Sequence, residues 1–298
     1  MILLALALTS ACHSPEPPVV DDLMLPAGIH QMPAAFDCER SHAIACYLPV
    51  AGATFRMGAQ ASDPAAPSYD PAASAGEGPV HEVTVSPFWI QRHEASTNMA
   101  RRCLESGACG DAEFASGEAL LNRGTDRVEH PINGVTWEGA RQLCAWLGAR
   151  MPTEAEWELA ARGTDGRRWP WGNERACPTV GVDPKQPWEL QRTDPPCRQH
   201  GTLPFNDLRG PSASGAIGMG GNVWEWVSDW YAEDAYASSA SRDPRGPATG
   251  ARRVQRGGGW MEEDPDELRA TNRIGVDPGA RLPDVGVRCA RDVVGDAP

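Results

Sequence analysis

Between Gly257 and Arg273 the chain carries its densest set of groups able to do chemistry: Gly257-Gly258-Gly259-Trp260, then Glu262, Glu263, Asp264, Asp266 and Glu267. Carboxylates this close together offer hard oxygen donors of the kind that hold Ca2+, Mg2+, Mn2+ or Fe2+. They equally suit an ordinary solvated acidic loop. The glycines permit a sharp turn or a close approach to another segment, with one indole to anchor it. Trp260, Glu262, Glu263, Asp266, Glu267, Arg269 and Arg273 are therefore candidates to line a binding cleft, and a cationic peptide would suit the charge.

Other titratable groups fit structural roles better. Glu154, Glu156 and Glu158 have the residue types for acid–base work, but Thr153 followed by Glu156 is a capping box, and acids in a first turn suit the helix dipole. His81 reads as a histidine holding a strand end. An iron site built from imidazoles needs clustered histidines, and the seven here form no such run, with His13, His30 and His42 near the N-terminal tether.

The elements that position these residues are short. Tyr47 to Gly58 alternates apolar residues and reads as a strand, and Val80 to Ile90 as a strand pair. Glu94 to Ser106 has helical spacing, with Met99, Cys103 and Leu104 on one face. Thr136 is the expected N-cap of an amphipathic helix running from Trp137 to Leu147 and closed by Gly148, the expected packing partner of the first. A third helix follows Thr153 and exits at Gly163. Residues 176–214 show little periodicity. With 31 glycines and 27 prolines, turns outweigh long regular elements. Eleven tryptophans against five phenylalanines and four tyrosines suggest a loop-rich core held by indoles whose N–H groups find partners. Trp224, Trp226 and Trp230 read as core aromatics.

A net charge of -13 disfavours nucleic acid and non-specific attraction to anionic lipid. The apolar run Met1 to Ala11 is too short to span a bilayer and matches the core of a secretory signal, although a basic start is missing. The small residues before Cys12 resemble a bacterial lipobox. The expectation is lipidation at Cys12 and a signal over 1–12, against the alternative of a disordered cytoplasmic start. Residues 13–35 then form a Pro-rich tether to one domain over 36–298. Eight further cysteines fit an oxidising compartment. Cys38 with Cys46, Cys103 with Cys109 and Cys177 with Cys197 are close in sequence, and no pair has the short spacing of a zinc site.

Several strings resemble the formylglycine-generating enzyme family, also called sulfatase-modifying factors. They are Leu48-Pro49-Val50-Ala51-Gly52-Ala53-Thr54-Phe55-Arg56-Met57-Gly58, Arg150-Met151-Pro152-Thr153-Glu154-Ala155-Glu156-Trp157-Glu158, Trp169-Pro170-Trp171-Gly172-Asn173, Gly221-Asn222-Val223-Trp224-Glu225-Trp226, Arg256-Gly257-Gly258-Gly259-Trp260 and Pro283-Asp284-Val285-Gly286-Val287-Arg288-Cys289-Ala290. The resemblance spans residues 47 to 291. It implies one α+β domain with a C-type-lectin-like fold poor in regular structure, and a disulfide from Cys144 to Cys289. It also implies a calcium site at Gly218, Gly221, Val223 and Glu225, weakened or completed by water because Gly218 has no side-chain oxygen. A second calcium site of the family draws on the region around 176–214, where no residue can be matched.

The family's enzymes hold Cu(I) through two cysteines and use O2 to oxidise a substrate cysteine. Here those positions are Glu262 and Glu267, and carboxylates are poor ligands for a soft ion. Copper is therefore not expected, and no catalytic residue is. The resemblance implies a non-catalytic envelope lipoprotein that binds a protein, peptide or glycan partner and touches the membrane only through its lipid. The alternative is an oxidoreductase of the same family with altered metal and O2 chemistry.

Overall fold

The computed structural model describes residues 46–117, 121–123, 126–175, 201–205, 208 and 210–293, and among these described residues there are nine short strands and three α-helices. Cys12, Cys38, Cys177 and Cys197 lie outside the described residues. So do the signal, the tether and most of the 176–214 region.

The stretch expected as one strand from Tyr47 is two. β1 (Tyr47–Val50) and β2 (Ala53–Met57) belong to different sheets. The crossing happens at Gly52, where a Cβ would lie 2.7 Å from the Pro87 ring, so the close approach requires glycine. The expected strand pair after Val80 is likewise divided. β3 (His81–Val85) lies antiparallel to β2, with Phe55 opposite Val83, while β4 (Phe88–Gln91) lies antiparallel to β1, with Val50 opposite Phe88.

α1 (Thr97–Glu105) begins three residues later than its periodicity suggests. Glu94 and Ala95 stay extended because Ala95 is already paired, donating to the Val287 carbonyl and accepting from Ile132 N. The Ser96 hydroxyl then caps the helix by accepting from Met99 N at 3.1 Å. α2 (Trp137–Trp146) starts at the expected cap, Thr136, packs against α1, and stops before Gly148 at φ +66°. α3 (Glu154–Arg162) has the complete Thr153–Glu156 capping box and ends at Gly163. Four strands follow the long central region: β5 (Trp224–Trp230), β6 (Arg253–Arg256), β7 (Arg273–Val276) and β8 (Val285–Val287), in the order β7-β6-β5-β8. β5 and β8 are parallel and the other neighbours antiparallel. β9 (Ala290–Asp292) returns to pair with β4, closing a three-stranded sheet in the order β1-β4-β9.

Two apolar clusters fill the space between these elements. One joins Trp89, α1, α2, Trp224 and Trp226, and the other joins Phe55, Val83, Trp157 and Val254 around α3. The indole N–H groups are satisfied as expected. Trp137 donates to Val227 O at 2.8 Å, Trp169 to Pro265 O at 2.7 Å and Trp226 to Val135 O at 2.9 Å. Disulfides Cys103–Cys109 and Cys144–Cys289 are both present, the second joining the end of α2 to the strand pair at the C-terminus. Cys46 is also disulfide-bonded.

α3 is buried along its whole length, so its acids must find cations rather than water. Glu154 accepts from Arg273 at 2.7 and 3.0 Å. Burial alone would raise its pKa, but the facing Arg273 and Arg256 hold it below the ordinary glutamate range. Glu158 accepts from Arg256 at 2.6 Å and from Gly58 N at 2.8 Å, tying the helix to β6 and to the end of β2. Glu156 pairs with Arg150 at 2.7 Å. The acids of this helix therefore hold the fold together through ion pairs, a larger role than the dipole effect read from sequence.

Glu158→Ala takes from buried Arg256 its 2.6 Å carboxylate and leaves only Glu154 at 3.5 Å; it is expected to cost about 3–5 kcal/mol, read as a lower urea midpoint. Cys144→Ser opens the 145-residue link to Cys289 and is expected to cost about 2–5 kcal/mol in the same assay. A variant within experimental error of wild type in either case would remove that contact from the account of stability.

Candidate functional site

The acidic loop is built on the end of β6. Gly257 and Gly258 both have positive φ, +99° and +77°, and a Cβ on Gly258 would overlap the Leu268 side chain. Gly259 is as constrained, since its Cβ would lie 2.9 Å from Asp284 Cβ and 3.0 Å from Trp224. The turn is thus clamped between β5 and the segment before β8. Trp260 locks it there, donating its backbone N–H to Asn222 O at 2.9 Å and its indole N–H to Pro283 O at 3.0 Å. Asp264 caps the single 3-10 turn Pro265–Leu268 that brings Glu267 back toward Glu262.

The result is a carboxyl pair. Glu262 and Glu267 share a side-chain hydrogen bond, and Trp224 Nε1 donates to Glu262 Oε1 at 2.8 Å. Burial is the main reason the Glu262 pKa is pushed up to about 8. The bond to Glu267 adds to the rise, the Trp224 bond opposes it, and the charges of Glu267 and Asp284 add again. Asp284 is itself raised by burial. At neutral pH Glu262 therefore keeps its proton beside Glu267.

The remaining members of the expected cleft separate from this pair. Trp260, Arg269 and Arg273 are all buried, so they cannot line an open groove. Arg269 is spent on Glu77 at 2.6 and 2.9 Å and Arg273 on Glu154, both far from the loop tip in sequence and function. Asp264 pairs with Arg175 at 2.8 Å, and Asp266 lies 3.2 Å from Arg168. These pairings scatter the loop acids. Among the described residues no group of three or more His, Cys, Asp or Glu is placed to hold an ion, so the compact hard-metal site does not assemble. Glu263 and Glu267 face solvent.

The residues matched to the calcium site have a different fate. Glu225 is fully buried, accepting from Arg288 NH2 at 2.8 Å and from Trp157 Nε1 at 2.7 Å. Gly218 has φ +83°, and a Cβ on it would lie 2.6 Å from Glu94 Oε1. Gly221 and Asn222 also have positive φ, +102° and +63°, which bends this segment around the Glu94 carboxylate. The Asn222 amide donates to Glu94 Oε1 at 3.0 Å. Donor chemistry gives a mixed result for the two metals implied by the resemblance. The buried oxygens of Glu94 and Glu225 are of the hard kind, but the Arg288 guanidinium and the Trp157 indole already occupy Glu225. The carboxyl oxygens of Glu262 and Glu267 do not suit Cu(I), and every described cysteine is disulfide-bonded.

Three members of the site escaped sequence reasoning. Trp224 looked like core, and its buried ring does pack there, yet its N–H reaches Glu262. Asp284 belongs to a quoted motif, but its proximity to Glu262 depends on the clamp at Gly259. No spacing signal pointed to Glu94. His81 is structural as expected, starting β3 with Nδ1 3.0 Å from Pro79 O and its ring against Tyr236.

A raised pKa sets the sign of the pH dependence. Glu262 adds stability that is fully present below the ordinary glutamate value of about 4.3 and is lost as pH rises through about 8. The urea midpoint should fall between pH 5 and pH 9, and Glu267→Gln, by removing the second charge, should flatten that fall. Equal slopes in the two proteins would mean that Glu267 does not contribute to the raised pKa of Glu262.

Comparison with known proteins agrees with this architecture. Residues 36–293 match the family model of the Sulfatase-modifying factor enzyme 1-like domain. Formylglycine-generating enzyme of Thermomonospora curvata is 35% identical over 293 residues, covering 82% of this chain and 93% of that protein. Inactive C-alpha-formylglycine-generating enzyme 2 of Bos taurus is 29% identical, covering 80% and 85% respectively. The solved structure of PvdO from Pseudomonas aeruginosa superposes with a TM-score of 0.63 at 22% identity, over 83% of this chain and 94% of that one, a likeness of fold alone. With its glycine-clamped turn, its buried Trp-Glu-Trp strand and its Cys144–Cys289 bridge, the chain belongs to the sulfatase-modifying factor family and has that family's α+β fold.

Proposed function

We propose that this chain is a non-catalytic sulfatase-modifying-factor-like protein, exported, lipid-anchored at Cys12, and serving as a binding module in the cell envelope. The observation that carries the proposal is the pair of carboxyls, Glu262 and Glu267, hydrogen-bonded side by side at the two positions where the resemblance expects copper thiolates. A soft Cu(I) ion gains little from carboxyl oxygens. The related bovine protein whose name includes "inactive" supports the idea that this family retains its scaffold without the oxidase chemistry.

The partner side of the proposal rests on the same loop. Met261 and Leu282 are exposed apolar side chains, 39% and 41% accessible, next in sequence to Trp260 and Pro283, which are bonded to each other. Exposed Glu263 and Glu267 add negative charge beside them. A basic peptide with an apolar residue would complement both properties, and its affinity would weaken with salt.

Incubating the purified protein with copper, O2 and a peptide bearing Cys-x-Pro-x-Arg is expected to leave the peptide mass unchanged. The double substitution Glu262→Cys/Glu267→Cys is expected to gain Cu(I) binding that wild type lacks. Aldehyde formation by the wild-type chain would replace this proposal with the oxidoreductase alternative.

A further inference from the structure

Asp229, on β5, is 3% exposed and, unlike the acids of α3, has no ion-pair partner among the described residues. Its Oδ2 is spent on structure, accepting from Glu154 N and from the Ser228 hydroxyl, each at 2.9 Å, and so satisfying a backbone N–H at the start of α3. Its Oδ1 accepts no hydrogen bond among the described residues. Arg253 feels the charge of Asp229, but its guanidinium donates to Ser228 O at 2.6 Å and stacks between the Trp137 and Trp230 rings, 3.7 and 3.4 Å from their centroids. Neighbouring Glu154 is already balanced by Arg273 and Arg256. Burial is the main reason the Asp229 pKa is pushed up to about 7; the charges of Glu154 and Glu156 add to the rise, and the bonds from Glu154 N and Ser228 oppose it. A cation arriving at Oδ1 would offset the cost of holding this carboxylate ionised.

Asp229 lines a cavity of ≈ 200 Å³ between the start of α3 and the segment from Ala235 to Pro247. Gly246, at φ +67°, passes beside Oδ1; a Cβ there would lie 3.1 Å from that oxygen, so glycine keeps it uncovered. The wall is mixed in character. Met57 and Pro244 are buried apolar groups, and Ser238 and Ser239 bring hydroxyls from the 3-10 turn Ala235–Ser238 and its end. Arg245 also lines the cavity, is exposed, and makes no hydrogen bond or ion pair among the described residues. A buried acid in the wall and an uncommitted cation at the mouth, next in the chain to Gly246, give the cavity two charged ends of opposite sign. Its volume is below the about 300–1,000 Å³ of drug-sized sites, which selects a small molecule.

We propose that this cavity binds a small free amino acid, with its ammonium group on Asp229, its carboxylate on Arg245 and a short side chain against Met57 and Pro244. The ammonium donates to Oδ1 in a charge-assisted hydrogen bond, and the planar Arg245 fork matches a carboxylate through two parallel N–H donors. A bare metal cation uses only the acidic end and is repelled by Arg245. A carboxylic acid without an amine uses only Arg245 and meets the charge of Asp229. The site shares no residue with the Glu262 loop, so it stands whether or not that loop binds a peptide.

The test is calorimetric titration of glycine, L-alanine, L-serine and L-valine into the purified full chain, with ethylamine and propionate as probes that each keep one charged end of alanine. At least one of the four amino acids is expected to bind saturably, one molecule per chain, and both half-probes to bind about tenfold or more weakly than it. Asp229→Asn keeps the size of the side chain and an acceptor for Glu154 N, and is expected to lose about tenfold or more in amino-acid affinity. Arg245→Gln, at an exposed position, is expected to unfold at the wild-type urea midpoint, to weaken amino-acid binding by a similar factor and to leave ethylamine binding unchanged, a selective loss that a structural role would not produce. Should Asp229→Asn fail to fold, Arg245→Gln decides the matter alone. Saturable binding of none of the four amino acids, wild-type affinity in Arg245→Gln or in a folded Asp229→Asn, or ethylamine binding as tightly as the best amino acid would each overturn the proposal.

Discussion

Helix α3 lies wholly inside the molecule, and the rest of the structure depends on how its carboxylates are neutralised. Glu154 and Glu158 each meet an arginine from the C-terminal half, Arg273 and Arg256, which also bond to backbone carbonyls of neighbouring loops. A buried pair of this kind contributes little net stability compared with a well-packed apolar substitute, yet losing either partner is costly. Its structural effect is to fix position. Once Arg256 is held against Glu158, the end of β6 cannot drift, and the Gly257-Gly258-Gly259 turn that follows starts from a defined point.

That fixed start explains why so irregular a loop can hold a specific carboxyl pair. The glycine turn is closed by contacts on three sides, from Leu268, Asp284 and Trp224. Trp260 bonds across to Asn222 and Pro283. Within this frame Glu262 is half-buried against the Trp224 indole, and the short Pro265–Leu268 turn returns Glu267 to it. Little regular secondary structure is needed. Indoles with satisfied N–H groups and arginines with several acceptors each take over the role that long helices and sheets play elsewhere.

The same frame supports two chemically distinct places. One is the pair at Glu262 and Glu267, partly open to solvent, where burial keeps Glu262 protonated. The other is the buried cluster of Glu94, Glu225 and Arg288, where two carboxylates face one arginine. Trp224 and Glu225 are consecutive on β5, so alternate faces of one strand serve the two places.

The sequence by itself determined the family, the α+β class, the caps of α2 and α3 and the absence of cysteine at positions 262 and 267. These are local or linear properties: a capping box, a glycine exit and a residue type at a motif position are complete within a few residues. Only the tertiary structure decided that the strand at Tyr47 breaks into two sheets, because the cause is Pro87 lying against Gly52. It alone withdrew Arg269 and Arg273 from the cleft, since their partners Glu77 and Glu154 are more than a hundred residues away in the chain. It also brought Glu94 under Gly218. Charge pairing across the interior is a property of proximity in space, which no spacing along the chain records.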